Sequence, residues 1–433
     1  MTALLVSPVS FKPKPRREGS SHGLAREASP TSLERASALP GEIAFLASYG
    51  IAPAVLIEAG ALSRRLGVAP AKALLSQGQV TDLVYYSALA RRLGVPFVAT
   101  LPTLCETPSH SLLAGAPIAP LPGGQRYLIA PEGDSLTSLL SLWRDGRAPV
   151  ERMAITTPRR LAAWTRAANA RAVAREACDE LRRFDPALSA GTPLAASVFA
   201  ALCVGAALGC GAVLTGGLVW LVLSGALWLA SAGVVVLRLA ATMASFAPAA
   251  PRPPPLSDAR LPTYTVIAPL YREAGMAARL AASIKALDYP ASKVEVKFVV
   301  EVDDHETRVA IEALDLPSRF EMIIAPAGAP RTKPRALNVA LPTARGQLVV
   351  VFDAEDSPDP RQLRLAAERF AASDARLACL QARLVIDNTG DSWLAALFGI
   401  EYAALFDVVN PGLAALRAPM MLGGTSNHFS GIR

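Results

Sequence analysis

The chain has 433 residues, 52% of them hydrophobic and 18% charged, with a formal net charge of +7. This is apolar for a soluble protein yet mild for a many-span transporter, so soluble domains around a small membrane anchor are expected. The arginines are scattered or flank an apolar run instead of forming one basic stripe, which argues for anionic lipid and against nucleic acid as partner.

Residues 1–40 are rich in Pro, Ser, Lys and Arg, lack the apolar core of a signal peptide, and are expected to be disordered. A small α+β domain over 41–177 follows, with helical periodicity at Ile43–Ser48, Leu56–Leu66, Ala71–Leu75 and Asp82–Leu93, and a short strand at Pro96–Val98. Arg64, Arg65, Arg91 and Arg92 either grip phosphates or are solvated helix faces. The segment from Arg65-Leu66-Gly67 through Leu74-Leu75-Ser76-Gln77-Gly78 to Leu93-Gly94-Val95-Pro96 resembles the N-terminal domain of type II secretion ATPases. That resemblance implies a regulatory or docking role and cyclic di-GMP as ligand.

A helical stretch is expected over Pro158–Phe184, running into a connector at 178–193. No charged residue occurs between Asp185 and Arg238, a stretch long enough for two membrane spans of about 20 residues each. They are placed near Leu194–Leu214 and Leu218–Leu237, within 194–238, with Gly216-Gly217 as the turn. Gly205 and Gly209 either let the two helices approach closely or reflect composition alone. Arginines on both flanks and none in the turn lead to the expectation that both ends face the cytosol. A Pro-rich linker occupies 239–260, stiffened by Pro251, Pro253, Pro254 and Pro255. The five cysteines have no paired spacing, which excludes a disulfide framework or zinc site.

From 261 to 433 strands alternate with helices, the pattern of an α/β domain with a largely parallel sheet. Strands are expected at Thr263–Pro269, Val296–Val302, Glu321–Pro326, Leu348–Phe352 and Leu377–Ile386. Helices are expected at Ala277–Leu287, Glu306–Leu314, Arg335–Leu341 and Pro360–Ala372. Ligands bind outside the carboxyl ends of such strands, and here those ends are polar: Pro269-Leu270-Tyr271-Arg272-Glu273, Asp303-Asp304-His305 and Asp353-Ala354-Glu355-Asp356. Carboxylates converging from two strands repel unless a cation satisfies them, and hard oxygens suit Mg2+ or Mn2+. Asp304 or Asp356 taken singly also reads as a helix N-cap. Lys333 and Arg335 open a helix where they would neutralise a diphosphate. Neither GxGxxG nor GxxxxGK[ST] occurs, against a dinucleotide oxidoreductase or P-loop NTPase.

In order and spacing, Val266-Ile267-Ala268-Pro269-Leu270-Tyr271-Arg272-Glu273, Asp303-Asp304, Lys333 with Ala336-Leu337-Asn338, and Asp353-Ala354-Glu355-Asp356 resemble family 2 glycosyltransferases, best their membrane-bound, cellulose-synthase-like branch. The resemblance implies a GT-A-like (Rossmann-like) fold and a UDP-sugar donor. It places Pro269, Tyr271, Glu273, Asp303, Asp304, Lys333 and Asn338 around the nucleotide-sugar, with Asp303 accepting from uracil. Asp353 would hold Mg2+ or Mn2+ with Glu355 or Asp356, and Gly424, Thr425, Ser426, Asn427 and His428 would face the acceptor. The apolar stripe through Trp393, Leu397, Phe398, Tyr402 and Phe406 is either an interfacial helix or core packing.

The family's later Thr-Glu-Asp base and Gln-x-x-Arg-Trp motif do not occur before Arg433, so the chain is expected to be a truncated and impaired enzyme with no catalytic base of its own. The leading expectation, which rests on that resemblance, is an inverting inner-membrane transferase of bacteria that elongates an exopolysaccharide from a UDP-sugar, with Mg2+ or Mn2+ neutralising the leaving diphosphate. The alternative is a non-catalytic cyclic-dinucleotide receptor or docking protein.

Overall fold

The computed structural model describes residues 2–5, 39–100, 118–120, 126–189, 196–215, 217–247, 251–420 and 422–430. The chain divides into two compact units, Met1–Ser7, Cys178–Pro251 and Arg376–Gly423 forming the smaller, and Pro8–Ala177, Arg252–Ala375 and Gly424–Arg433 the larger. The first described strand, β1 (Thr2–Leu5), belongs to the smaller unit and corrects the expectation of disorder for those four residues. Most of the remainder of 1–40 lies outside the described residues.

In the larger unit the N-terminal part is mainly helical. Helix Pro53–Leu66 has Pro at its first turn, where the missing N–H costs nothing, and ends at Gly67 with φ 65°. Helix Asp82–Leu93 is capped by the Thr81 hydroxyl, which accepts from Val84 N, and ends at Gly94 with φ 70°. Buried Leu56, Leu74, Tyr85, Tyr86, Leu89 and Leu136 meet in one core. A small sheet that local pattern did not reveal completes it: β2 (Ile118–Pro120) runs antiparallel to β3 (Tyr127–Ile129), which runs parallel to β4 (Met153–Ile155). The expected strand at Pro96–Val98 is a single bridge from Phe97 to Ile155.

The expected helical stretch over Pro158–Phe184 is present and consists of two helices, Pro158–Ala168 and Ala170–Phe184. They are separated by Asn169, whose φ and ψ of −109° and 24° leave the helical region and whose side chain donates to Thr165 O. Asparagine offers its backbone such local alternatives to the helix ladder.

The C-terminal α/β part is built on β5 (Tyr264–Leu270), β6 (Val294–Glu301), β7 (Phe320–Ala325) and β8 (Leu348–Val351), with β9 (Leu377–Gln381) in the smaller unit and β10 (Asn427–Ser430) returning to the larger. Within the larger unit the order is β10-β8-β5-β6-β7, parallel except for β10, which runs antiparallel to β8. Both faces are covered, so the strands are nearly continuous apolar runs. Val266, Val296, Phe298 and Val350 face a core shared with Leu280, Ile284, Leu363 and Ala367. Ile267, Val299, Ile323 and Val349 face the opposite core, shared with Val339, Ala340, Val173 and Ala177.

The smaller unit holds helices Ala196–Thr215 and Leu218–Ser245, with Gly217 at φ 72° before the second. The second continues to Ser245, past the expected end at Leu237. Trp220–Ser245 and Trp393–Ala415 are long and apolar enough to cross a bilayer, with mean hydropathies of 2.1 and 1.3. Gly412 packs where an added Cβ would collide with Ala241 O, so the Leu218–Ser245 and Asn410–Ala415 helices touch backbone to backbone. β1 pairs parallel with β9.

Candidate active site

The strand order changes direction between β5 and β8: chain-adjacent strands step outward on one side of β5, while β8 lies on the other. Crossovers leave opposite faces there and open a crevice at the carboxyl ends of the two strands. A cleft of about 330 Å3 occupies this position, lined by Pro269 at the end of β5, Tyr271 and Glu273 just after it, Lys333 and Ala336 from helix Lys333–Ala340, and Asp353 and Glu355 after β8.

Lys333 Nζ donates to an Asp353 carboxylate oxygen and to Gly424 O at 2.6 Å, drawing three separate segments together. Glu273 has its carboxyl raised above the usual range, first by desolvation and further by Glu355, Asp353 and Asp304, although Tyr271 N–H opposes the shift. Thus Glu273, Asp353 and Glu355 concentrate negative charge in one cleft. Among the described residues no three His, Cys, Asp or Glu side chains form a ready-made metal cage. The all-oxygen donors of Asp353 and Glu355 nevertheless have the chemistry of a hard divalent cation, with room for further ligands from substrate and water.

Not every expected site residue faces this cleft. Asp356 turns inward: its carboxylate accepts from Asp353 N–H at 2.8 Å and from the Thr425 hydroxyl. Burial raises its carboxyl above the usual range, with those two donors opposing. Asp304 is likewise internal, accepting from Arg272 N–H at 2.6 Å and capping helix His305–Glu312 through Thr307 N–H at 3.2 Å. Burial opposes its ionisation, but the Arg272 and Thr307 donors prevail and hold the carboxyl below its usual range. Asn338 donates to Ala177 O at 2.8 Å and is not among the cleft-lining residues. Asp303 stays at the surface, bound at 2.9 Å by Arg331, which also reaches the Tyr271 hydroxyl at 2.9 Å.

The acceptor set divides similarly. Gly424 offers its carbonyl to Lys333. Thr425, Ser426, Asn427 and His428 are buried. His428 lies between the Tyr264 hydroxyl at 2.9 Å and Gln362 Nε2 at 3.0 Å, and burial lowers its imidazole to about 3. A neutral, enclosed ring of this kind is a structural contact and not a surface base. Arg272 and Ser426 hold φ of 60° and 55°, unusual for residues with a Cβ. Both positions are fixed from outside: Arg272 N–H by Asp304 and Ser426 N–H by Val351 O at 2.8 Å.

Sequence reasoning missed two cleft residues. Glu301, at the end of β6, forms a buried pair with Arg335 at 2.5 Å beneath the cleft. Its signal was a carboxylate closing an apolar strand, two residues before Asp303. Arg331 stands two residues before Lys333, in a loop whose basic character was readable although its partners were not.

In the N-terminal part, Arg64, Arg65, Arg91 and Arg92 are exposed in the last turns of their helices, and Arg92 lies over the Trp143 ring at 4.9 Å. Cations there complement the negative helix ends.

Residues 262–406 match the family described as Glycosyltransferase like family 2. No curated protein matches the chain. Among solved structures it is similar to mannosyltransferase PcManGT from Pyrobaculum calidifontis in complex with GDP-Man and Mn2+, at 26% identity and TM-score 0.30, covering 37% of this chain and 45% of that one. It is also similar to S. aureus TarS 1-349, at 24% identity and TM-score 0.26, covering 29% and 36%. A third is glucosyl-3-phosphoglycerate synthase from Mycobacterium tuberculosis in complex with Mn2+, UDP and phosphoglyceric acid, at 17% identity and TM-score 0.27, covering 39% and 56%. The chain therefore spans about half or less of the first two structures' lengths and little more than half of the third. The likeness to glycosyltransferases thus lies in residues 262–406, about a third of the chain.

Proposed function

We propose that this chain binds a nucleoside-diphosphate sugar, with a UDP-sugar as the preferred donor, and transfers its sugar with inversion to a growing polysaccharide at the bacterial inner membrane. The observation carrying this reading is the meeting of Tyr271, Glu273, Lys333, Asp353 and Glu355 in one cleft at the switch point of the sheet. Asp353 and Glu355 would hold Mg2+ or Mn2+, which when bound neutralises charge developing on the leaving diphosphate.

The chain's own residues supply the remaining positioning. Lys333, now paired with Asp353, would exchange that carboxylate for a phosphate oxygen when the donor enters. Tyr271, held by Arg331, presents its ring beside the cleft for the nucleoside, and Asp303 on the same arginine stands ready to accept from the base. The acceptor hydroxyl would attack the anomeric carbon as the bond to the diphosphate breaks. The apolar helix Leu218–Ser245, long enough to cross a bilayer, supports anchoring, and in this reading the shorter apolar Ala196–Thr215 would pair with it and both soluble parts would be cytosolic. Exposed Arg64, Arg65, Arg91 and Arg92 are the groups through which the N-terminal part would meet cyclic di-GMP.

Calorimetry of the detergent-solubilised full chain with UDP and Mn2+ tests the donor site. Saturable, metal-dependent binding is expected, weakened at least tenfold by Asp353→Ala, a loss of about 1.4 kcal/mol. Equal binding by wild type and variant at saturating Mn2+ would remove the metal role.

A further inference from the structure

A second cavity, of about 340 Å3, lies at the other end of the strands, where the N-terminal helices meet the beginnings of β6 and β7. Lys72 and Glu132 stand on its N-terminal wall, and Glu295, Lys297, Arg319 and Glu321 on its sheet wall. The carboxylates here already have cations. Asp82 pairs with Arg159 at 2.9 Å and Glu132 with Arg345 at 2.5 Å. Lys297 serves both Glu295 at 3.3 Å and Glu321 at 2.7 Å, and Arg166 adds a second bond to Glu321 at 2.8 Å.

Two cations are left over. Lys72 makes no hydrogen bond or ion pair among the described residues, and desolvation holds its ammonium below the usual lysine range although Glu295 and Glu132 oppose this. Arg319 has no carboxylate partner among the described residues: its guanidinium lies over the Phe320 ring at 5.3 Å, and its Nε is buried without a hydrogen-bond partner among them. For Lys72 desolvation outweighs the pull of Glu295 and Glu132, and Arg319 is desolvated with no carboxylate to offset it, so an anion in the cavity would favour both charged side chains. The cavity has the size of a small-molecule site.

From this surplus we infer that the cavity binds a small phosphate-bearing anion, with Lys72 and Arg319 as direct ligands. It is separate from the donor cleft and shares none of its lining residues. Yet Lys297 and Glu301 lie four residues apart on one face of β6, so a single strand carries a residue of each cavity. The site is therefore placed to report a cytosolic phosphate compound to the transferase-like domain.

The test titrates the metal-free full chain in detergent with orthophosphate and, separately, with ribose 5-phosphate. Wild type is expected to bind at least one, and Lys72→Met and Arg319→Met each to weaken that binding about tenfold, as loss of one charge-assisted bond does. Lys333→Met should leave it unchanged. Tighter binding of ribose 5-phosphate identifies a phosphate monoester as ligand, and equal or tighter binding of orthophosphate identifies the free ion. No binding of either probe at 10 mM, as an approximate upper limit set by weak sites, overturns the inference; so does binding lost in Lys333→Met but retained in Lys72→Met. Thermal midpoints without ligand check folding, and Arg319→Lys, which keeps the charge, replaces Arg319→Met if that variant does not fold.

Discussion

Asp353, Glu355 and Asp356 stand within four consecutive positions, yet they do different work. Asp353 and Glu355 line the cleft, whereas Asp356 satisfies the Asp353 N–H and the Thr425 hydroxyl. Glu355→Gln is therefore expected to weaken Mn2+-dependent UDP binding while leaving the melting temperature in place. Asp356→Ala should instead destabilise the fold by about 1–3 kcal/mol, the usual cost of stranding buried donors. A variant pair with these effects reversed, read by calorimetry and thermal melts, would contradict the assignment. The acidic cluster was legible in sequence, but its division of labour was not, because Thr425 reaches Asp356 from 69 positions away. His428 supplies a pH signature. Its folded value of about 3 lies below the ordinary 6.5, so the unfolded chain binds the extra proton between those limits and stability falls as pH drops through them. The contribution is about 1.4 kcal/mol per pH unit below 6.5. In His428→Gln, denaturant melts at pH 6.5 and 5 should lose that part of the slope.

At the scale of elements, the alternating helices and strands of the transferase-like part were readable because each strand is buried on both faces and each helix on one. β10 was not readable. Asn427-His428-Phe429-Ser430 has no strand-like apolar pattern, and its extended form is set by pairing with Val351 to Leu348 of β8. The join between helix Pro158–Ala168 and the sheet was equally hidden. It rests on Arg166, Glu321 and Lys297, all buried, and the two cations hold the Glu321 carboxyl at about 2 against the desolvation that would raise it. Removing one member leaves an uncompensated buried charge, so Arg166→Met should cost about 3–5 kcal/mol in a denaturation experiment. A loss below about 1 kcal/mol would place this group among ordinary surface pairs. Gly346 is a tighter constraint: an added Cβ would come within 2.4 Å of Thr265 N, so Gly346→Ala must displace the start of β8 from β5.

For the molecule as a whole, composition alone pointed to soluble parts around an apolar anchor. If the helix Leu218–Ser245 spans a bilayer, the full chain should stay in the membrane pellet after alkaline carbonate washing. Leu229→Lys, near the helix centre, should reduce insertion through a penalty of about 2.5–3.5 kcal/mol. Recovery of the unmodified chain in the wash would show that these helices do not anchor it. Sequence by itself determined the uncharged run, the parallel α/β pattern and the polar strand ends, since each follows from the periodicity and chemistry of neighbouring residues. Only tertiary structure decided which acids face the cleft, that His428 is enclosed, and that Lys72 and Arg319 make no ion pair among the described residues. Those outcomes depend on burial and on partners dozens to hundreds of residues distant, and no local pattern encodes such distances.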